Sequence, residues 1–341
     1  MSSSSPKKSK EKNMKLLLLE TKNPYVNLAI EEYMFDTADD EIFMLWQNSP
    51  TVVIGKNQNA YAEIDMEVVK QKNIFISRRI TGGGAVYHDL GNLNYSFISP
   101  NHNGYGLDFA HFTAPIIDAL ASMGVNASLS GRNDLIVGEK KFSGNAEYSK
   151  DNRVLHHGTL LFNSDLTVLS DVLRVDEEKL ASKAIRSARS RVTNLLPLLS
   201  PDLNIKTAEQ FRDRIAEYII KKYSPVIISP PQNEKINELI KRNSSNDWLF
   251  PTKDLLSLYT LTKKKRFSFG GVEIRLEMKN DIIKDIRISG DFFSLDPTSK
   301  LEDIIRGTEI SSISAILKNT DVGSYIVGMS AKDLCELILK E

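Results

Sequence analysis

Three consecutive glycines constrain this chain more than any other feature. They sit in Arg78-Arg79-Ile80-Thr81-Gly82-Gly83-Gly84-Ala85-Val86-Tyr87-His88-Asp89. The run removes every Cβ from one short stretch, opens φ > 0 and admits a ligand close to the backbone. Two arginines just upstream offer planar, permanently charged forks suited to carboxylate or phosphate, and an imidazole and a carboxylate follow at once. Ile74-Phe75-Ile76 leads in and Leu93-Asn94-Tyr95-Ser96-Phe97-Ile98 leads out, which predicts a glycine segment between two strands. A glycine-rich hairpin with ordinary surface charges accounts for a lone GGG. It accounts less well for arginines, glycines, His and Asp gathered within twelve residues.

The 341 residues point to roughly two domains. Lys+Arg 44 balance Asp+Glu 44, so no global attraction to nucleic acid or an anionic membrane is expected, and any anion site is local. The single cysteine, Cys335, excludes an intrachain disulfide framework and a multi-cysteine metal site, and it fits a reducing, cytoplasmic compartment. No apolar run approaches the ~20 residues of a membrane span. Residues 1–13 are Ser- and Lys-rich, unlike a secretory signal, and read as a disordered tail.

Lys15 to Glu20 reads as a first buried strand, and Asn27 to Thr37 as a helix with a broad apolar face that also carries Glu31 and Glu32. Ile42 to Trp46 and Thr51 to Gly55 read as a strand pair turning at Asn48-Ser49-Pro50, and Ile64 to Gln71 as a short helix. Phe109 to Met123 reads as a helix stopped by Gly124. Asn133 to Asn163 reads as consecutive antiparallel strands, and Ala208 to Tyr223 as a helix. A boundary near Trp248 to Lys253 separates residues 14–248 from a small α+β unit over 253–341. In that unit Arg266 to Met278 and Ile282 to Ser289 read as a hairpin turning at Lys279-Asn280-Asp281, followed by helices over Leu301 to Arg306, Ile310 to Leu317 and Ala331 to Leu339.

All five histidines fall between His88 and His157, without metal-ligand spacing. His156 and His157 are neighbours on a strand and point to opposite faces, so at most one faces a given pocket. Alternation puts Lys141 and Ser143 on one face, and Lys140 and Phe142 on the other. A solvated hairpin lysine is the ordinary outcome. Yet Ser143-Gly144-Asn145 and His157-Gly158-Thr159 place small and polar residues where a core strand carries bulk, which points to the wall of a polar pocket. Asp134 supplies a carboxylate at the same end, as a Mg²⁺ ligand or as a turn cap. Lys183, Arg186, Arg189 and Arg191 form a basic run without acids. It reads as a surface helix face, as a nucleic-acid patch, or, most sharply, as a loop that closes over phosphates. There is no Walker A motif, GxGxxG or GxSxG, so a nucleotide would bind outside the P-loop and Rossmann schemes and covalent catalysis has no visible support.

Several blocks, in matching order and spacing, closely resemble the bacterial two-domain lipoate–protein ligases. They are Asn27-Leu28-Ala29-Ile30-Glu31-Glu32, the glycine segment through Asn92, Gly131-Arg132-Asn133-Asp134-Leu135, Lys141-Phe142-Ser143-Gly144, His156-His157-Gly158-Thr159-Leu160-Leu161 and Arg189-Ser190-Arg191-Val192-Thr193-Asn194-Leu195. The resemblance runs from about Lys15 to the C-terminus. It implies an α+β fold: a large domain with the mixed sheet and flanking helices of biotin protein ligases and class II aminoacyl-tRNA synthetases, then a small α+β accessory domain. It implies that Mg-ATP activates lipoate to lipoyl-adenylate with release of pyrophosphate. The lipoyl group then passes to a lysine of a lipoyl domain of a 2-oxoacid dehydrogenase or of the glycine-cleavage H protein. No nucleic acid or membrane partner is expected, and the enzyme is expected to be a monomer.

Carried over by position, Arg79 and the backbone of Gly83-Gly84-Ala85-Val86-Tyr87 contact the nucleotide or adenylate. Lys141 is catalytic, between the lipoate carboxylate and the α-phosphate. His88, Ser143 and His157 line the site, and Asn92, Gly144, Gly158 and Thr159 complete it. Asp134 takes Mg²⁺, and Lys183 and Arg191 belong to an adenylate-binding loop over Ala181 to Thr193. Carboxylate attack on the α-phosphorus brings two anions together, which a fixed ammonium and backbone N–H donors ease. Trp46, Val53 and Ile80 are expected to wall the dithiolane slot, with Ile80 standing where the family more often has a small residue. Three rivals fit less well. An amidotransferase of this fold needs a pocket cysteine, and Cys335 lies in the other domain. A transferase limited to preformed lipoyl-AMP sits poorly with Lys141 and the second domain, and a non-catalytic sensor sits poorly with Arg79, Lys141 and Asp134.

Overall fold

The apolar runs Ile42–Trp46, Thr51–Ile54 and Asn92–Ser99 become strands buried at every position, which need a neighbour on each edge and a layer on each face. A computed structural model describes residues 14–100, 107–173, 192–251 and 259–339. In it β1 (Lys15–Leu18), β2 (Ile42–Trp46), β6 (Asn92–Ser99), β7 (Ala127–Ser130), β8 (Asp134–Val137), β9 (Lys140–Lys150), β10 (Arg153–Leu161) and β11 (Val226–Ile228) form one mixed sheet. Their order is β11-β1-β2-β6-β10-β9-β8-β7, parallel from β11 to β2 and antiparallel beyond. Alternate side chains serve opposite layers. Phe43, Tyr95 and Phe97 pack with Phe112 and Ile116 of the helix Phe109–Ser122 and with Phe211 and Ile215 of the helix Ala208–Tyr223. Ile42, Met44 and Trp46 pack with Leu28, Ile30 and Phe35 of the helix Pro24–Thr37. That helix starts where Asn23 accepts the Tyr25 and Val26 N–H groups, with Pro24 in its first turn.

Two strand readings are corrected. β2 and β3 (Thr51–Ile54) do not pair. β3 is the centre of a second sheet, parallel to β4 (Phe75–Arg78) and antiparallel to β5 (Val86–His88). The expected turn between them is a buried polar joint: Asn27 Nδ2 donates to Gln47 O and Asn48 Oδ1, and Gln47 Nε2 to Leu90 O. Side-chain amides take over bonds that a hairpin turn would have satisfied within the backbone. The glycine segment likewise closes no hairpin, because β3 lies between the strands it connects.

The C-terminal unit has its own core. The stretch from Arg266 to Met278 is two strands: β12 (Leu261–Phe267) turns at Ser268-Phe269 into β13 (Gly270–Lys279). β14 (Ile282–Gly290) follows through Asn280 and Asp281, whose φ values of 50° and 60° suit a two-residue hairpin turn. Helices Thr298–Ile305, Ile313–Lys318 and Ala331–Leu339 bury Leu301, Leu317 and Leu334 against Ile274, Leu276 and Ile286. The mixed sheet with flanking helices and the small α+β unit agree with the reading from sequence. Among the described residues no helix is long and apolar enough to cross a membrane.

Phe292-Phe293 joins the two cores. Phe293 is fully buried against Phe109 and Ala146, with the Arg132 guanidinium 4.4 Å above its ring. The Gly83 N–H donates to Phe292 O at 3.1 Å, and the Gly290 N–H to Asn57 O at 2.8 Å. Truncating a buried aromatic at such a joint costs about 3–5 kcal/mol. Phe293→Ala is therefore expected to lower the denaturation midpoint and to speed proteolytic release of the C-terminal unit; a variant matching the parent in both would show that this contact does not hold the units together.

Candidate active site

The three glycines have different physical reasons to be glycine. A Cβ at Gly82 would lie 2.4 Å from Phe292 O, and one at Gly83, where φ is 88°, would lie 3.1 Å from the Phe293 ring. At Gly84 the nearest atom would be 4.0 Å away. The C-terminal unit requires the first two, and only Gly84 is left open for close approach of a ligand.

The two arginines are spent on the protein itself, which corrects their reading as free anion forks. Arg78 donates from Nε to Trp248 O, from Nη1 to Gly55, Lys56 and Gln58 carbonyls and from Nη2 to Leu249 O. Arg79 lines the site, yet it donates from Nε to Thr81 Oγ1, from Nη1 to Val53 O and from Nη2 to Gly82 and Gly84 carbonyls. A guanidinium has five N–H groups, so little of Arg79 is left for a ligand. Burial pushes both pKa values down to about 10, still far above neutrality. Both residues therefore act as cations that fold the loops around them.

Two chambers meet beside this loop. A narrow one of about 140 Å³ is walled by Leu28, Trp46, Val53, Arg79, Gly83, His88, Asn94, Asn133, Asn145, Ala146, His157 and Gly158. A wider one of about 760 Å³ is walled by Tyr87, Ser130, Asp134, Ile136, Glu139, Ser143, Leu161 and Val192 among others. Gly84 lines the narrow chamber, and Ala85, Val86, Lys141, Gly144 and Thr159 belong to both. Lys141 thus stands at the junction, with its Nζ 2.7 Å from Asp134 Oδ1. Both side chains are more than a third exposed (40% and 37%), so the pair is screened and readily exchanged. Lys141 and Ser143 face the wide chamber while Phe142 enters the core, as the alternation predicted. Ser143 Oγ is buried without a partner among the described residues.

The histidines divide as expected of strand neighbours. His156 turns away from the chambers to Glu147 at 2.8 Å and stacks on Phe112. His157 turns into the narrow chamber. His88 lines the same chamber, and its protonation is legible from its contacts. Asn27 donates to Asn48 Oδ1, so the Asn48 amide nitrogen faces His88 Nδ1 at 3.1 Å. Nδ1 therefore accepts, and the hydrogen sits on Nε2, which is buried without a partner among the described residues. Burial, with Arg79 and His157 nearby, lowers the His88 pKa to about 3 and keeps the ring neutral.

Asn92 stands apart from the other named residues: it is fully buried, bonds to Asn94 and lines neither chamber. Ile80 packs in the cluster of Leu28, Trp46 and Val53 behind the narrow chamber rather than on its wall. Lys183 and Arg191 lie outside the described residues. Reasoning from sequence missed Asn94, Asn133 and the apolar Leu28, while Asn145 lines the chamber as the polar-wall reading of Ser143-Gly144-Asn145 expected. Asn94 carried a signal, since alternation puts it on one face of a fully buried strand with Asn92 and Ser96, where a core strand would carry apolar bulk. Among the described residues no group of three or more His, Cys, Asp or Glu side chains gathers as for a metal. Cys335 packs against the C-terminal core, remote from both chambers.

The family model for the lipoyl protein ligase A/B catalytic domain matches residues 23–220, and that for the bacterial lipoate protein ligase C-terminus matches residues 258–338. The chain is similar to lipoate-protein ligase LplJ of Bacillus subtilis, at 36% identity over 336 residues, covering 95% of this chain and all of that one. A Plasmodium falciparum LipL1 structure in complex with lipoate has the same fold, with a TM-score of 0.80 at 24% identity over 96% of this chain and all of that one. Two solved structures share 70% of this chain. The bipartite lipoate protein ligase of Thermoplasma acidophilum, solved with its E2 lipoyl domain, has a TM-score of 0.59 at 29% identity and is covered over 96% of its length. A lipoate-protein ligase A bound with ATP has a TM-score of 0.57 at 28% identity and is covered over 98%.

The glycine geometry sets a stability contrast. Gly82→Ala drives a Cβ into backbone and is expected to cost about 1–3 kcal/mol. Gly84→Ala has room and no positive φ, so its cost should stay within about 1 kcal/mol. Denaturation midpoints of the two variants check this, and equal losses would contradict it.

Proposed function

The chain is an enzyme of the lipoate–protein ligase family, and from that premise we propose that it activates lipoate with ATP to lipoyl-adenylate and then lipoylates a protein lysine. The observation that carries this reading is Lys141 at the junction of a narrow chamber with an apolar wall and a wide one that carries Asp134 and Ser143. The narrow chamber takes the dithiolane and alkyl chain against Leu28, Trp46 and Val53, and the wide one takes the nucleotide. The lipoate carboxylate and the α-phosphate then meet at Lys141.

In the first step a lipoate carboxylate oxygen bonds to the α-phosphorus, the bond to the β-phosphate oxygen breaks, and pyrophosphate leaves. The Lys141 ammonium offsets the charge of two anions brought together and of the pentacoordinate phosphorus between them. Asp134, beside Lys141 at 2.7 Å, would hold the Mg²⁺ of Mg-ATP, which would neutralise phosphate charge; one carboxylate beside substrate phosphates suits an ion that keeps much of its water. In the second step a lysine amine attacks the acyl carbon, AMP departs and the nitrogen loses a proton. The neutral His88 ring lines the narrow chamber without adding positive charge to it.

Residues 14–248 serve as the catalytic domain and 253–341 as the accessory domain that closes on the glycine segment. The acceptors are apo lipoyl domains of 2-oxoacid dehydrogenases and the H protein. A related ligase solved with its E2 lipoyl domain supports this choice, and one bound with ATP supports the nucleotide. The enzyme works as a cytoplasmic monomer, with Lys183 and Arg191 closing on the adenylate.

The test is incubation with ATP, Mg²⁺ and lipoate, with and without an apo lipoyl domain. Pyrophosphate release that needs lipoate, and an acceptor mass gain that needs ATP, are expected. Acceptor modification only from supplied lipoyl-AMP would sink the activation step. Lys141→Ala should keep its fold, since its partner Asp134 is solvated, and should lose adenylate formation by about two orders of magnitude, the effect of removing a ~3 kcal/mol transition-state contact. Near-normal pyrophosphate release in that variant would remove Lys141 from the chemistry.

A further inference from the structure

Glu31 takes no part in the reading above. It lines neither chamber, yet it is a carboxylate left 1% exposed in the middle of the molecule. The helix Pro24–Thr37 delivers it beneath β6 and β10. His157 Nδ1 lies 3.0 and 3.1 Å from its two oxygens. Ser96 Oγ–H donates to the same carboxylate and accepts from Trp46 Nε1 at 2.9 Å. On the far side of the imidazole, Thr81 Oγ1 is 2.8 Å from His157 Nε2 and accepts from Arg79 Nε at 2.9 Å.

One assignment of hydrogens satisfies every atom in this line. Arg79 only donates, so the Thr81 oxygen accepts and its own hydrogen goes to His157 Nε2. The ring is then neutral, with its hydrogen on Nδ1, which donates to Glu31. An ionised carboxylate only accepts. The bonds therefore run one way, from a buried cation to a buried anion. Arg79 needs such a partner: it is 6% exposed, and burial and the neighbouring Arg78 disfavour its charge while Glu31 favours it. Arg79 in turn grips the Gly82 and Gly84 carbonyls at 2.7 and 2.8 Å. Because a trans peptide unit is planar, fixing the Gly84 C=O also fixes the Ala85 N–H on the opposite side, and Ala85 borders both chambers.

We propose that Glu31 is a positioning residue for this enzyme: through His157 and Thr81 it anchors Arg79 on the glycine carbonyls and so holds the Ala85 N–H in place beside the junction where Lys141 stands. The proposal rests on the ligase reading for its kinetic consequence but not for its hydrogen-bond pattern, so the two fail separately.

The experiment compares the full chain with Glu31→Gln, Thr81→Val and the double variant. Each single change should lower lipoate-dependent pyrophosphate release by about 10–100-fold, as slight misplacement of reacting groups does, with KM for lipoate within about threefold of the parent. The double variant should be no more than about threefold slower than the slower single, because both cut one line. In ¹⁵N-histidine spectra the parent should show His157 protonated on Nδ1, and Glu31→Gln should mix the two tautomers. A folded Glu31→Gln at parental rate, additive rate losses, or an unchanged His157 tautomer in Glu31→Gln would overturn the proposal. If Glu31→Gln does not fold, Thr81→Val, which removes no charge, carries the same rate test, with His157 expected to stay protonated on Nδ1 because Glu31 still accepts from it. A parent that shows no lipoate-dependent pyrophosphate release would refute the ligase reading, while the spectra would still decide the relay.

Discussion

The structure around the site depends on satisfying two guanidinium groups taken out of water. A buried cation is expensive unless its donors and its charge are both answered. Arg78 answers with five carbonyls drawn from residues 55–58 and 248–249, which ties the loop after β3 to the end of the segment that precedes the C-terminal unit. Arg79 answers with Val53, Gly82 and Gly84 carbonyls and with a hydrogen-bonded line to Glu31. These bonds, rather than any regular secondary structure, give the glycine segment its shape.

That shape has two sides. One is met by the C-terminal unit, where Phe292 and Phe293 occupy the space that side chains at Gly82 and Gly83 would need. The other is the floor of the chambers, where Gly84 and Ala85 lie exposed to a ligand. One short loop therefore serves as a docking surface and as a binding surface. Anything that alters its backbone is felt on both sides, which gives the position of the C-terminal unit a direct mechanical connection to the site.

Much of the molecule was legible from residue pattern. The strands from Lys15, Ile42 and Asn133 onward, the helix ended by Gly124 and the opposite facing of His156 and His157 follow from apolar periodicity and the pleat. The pairing of β3 was not legible, because a local turn at Asn48-Ser49-Pro50 competes with partners 24 to 37 residues away, and side-chain amides decide the contest. The reading of Arg78 and Arg79 as free anion forks failed for a similar reason. A charged side chain carries no mark of what will surround it, and carbonyls from three separate stretches, 53–58, 82–84 and 248–249, converge on this pair.

By itself the sequence determined the periodicities that make a mixed sheet with covering helices, and it supplied the residue types at the site: glycines without Cβ, a lysine among small polar neighbours, and histidines confined to one part of the chain. These are local properties, carried by spacing along the backbone. Only the tertiary structure decided that Gly82 and Gly83 serve the C-terminal unit while Gly84 is left open, that Lys141 stands where two chambers join, and that Glu31 completes a line of bonds ending on Arg79. Each of those depends on groups far apart in the chain meeting within about 3 Å, the range over which a hydrogen bond acts, and no local pattern encodes such a meeting.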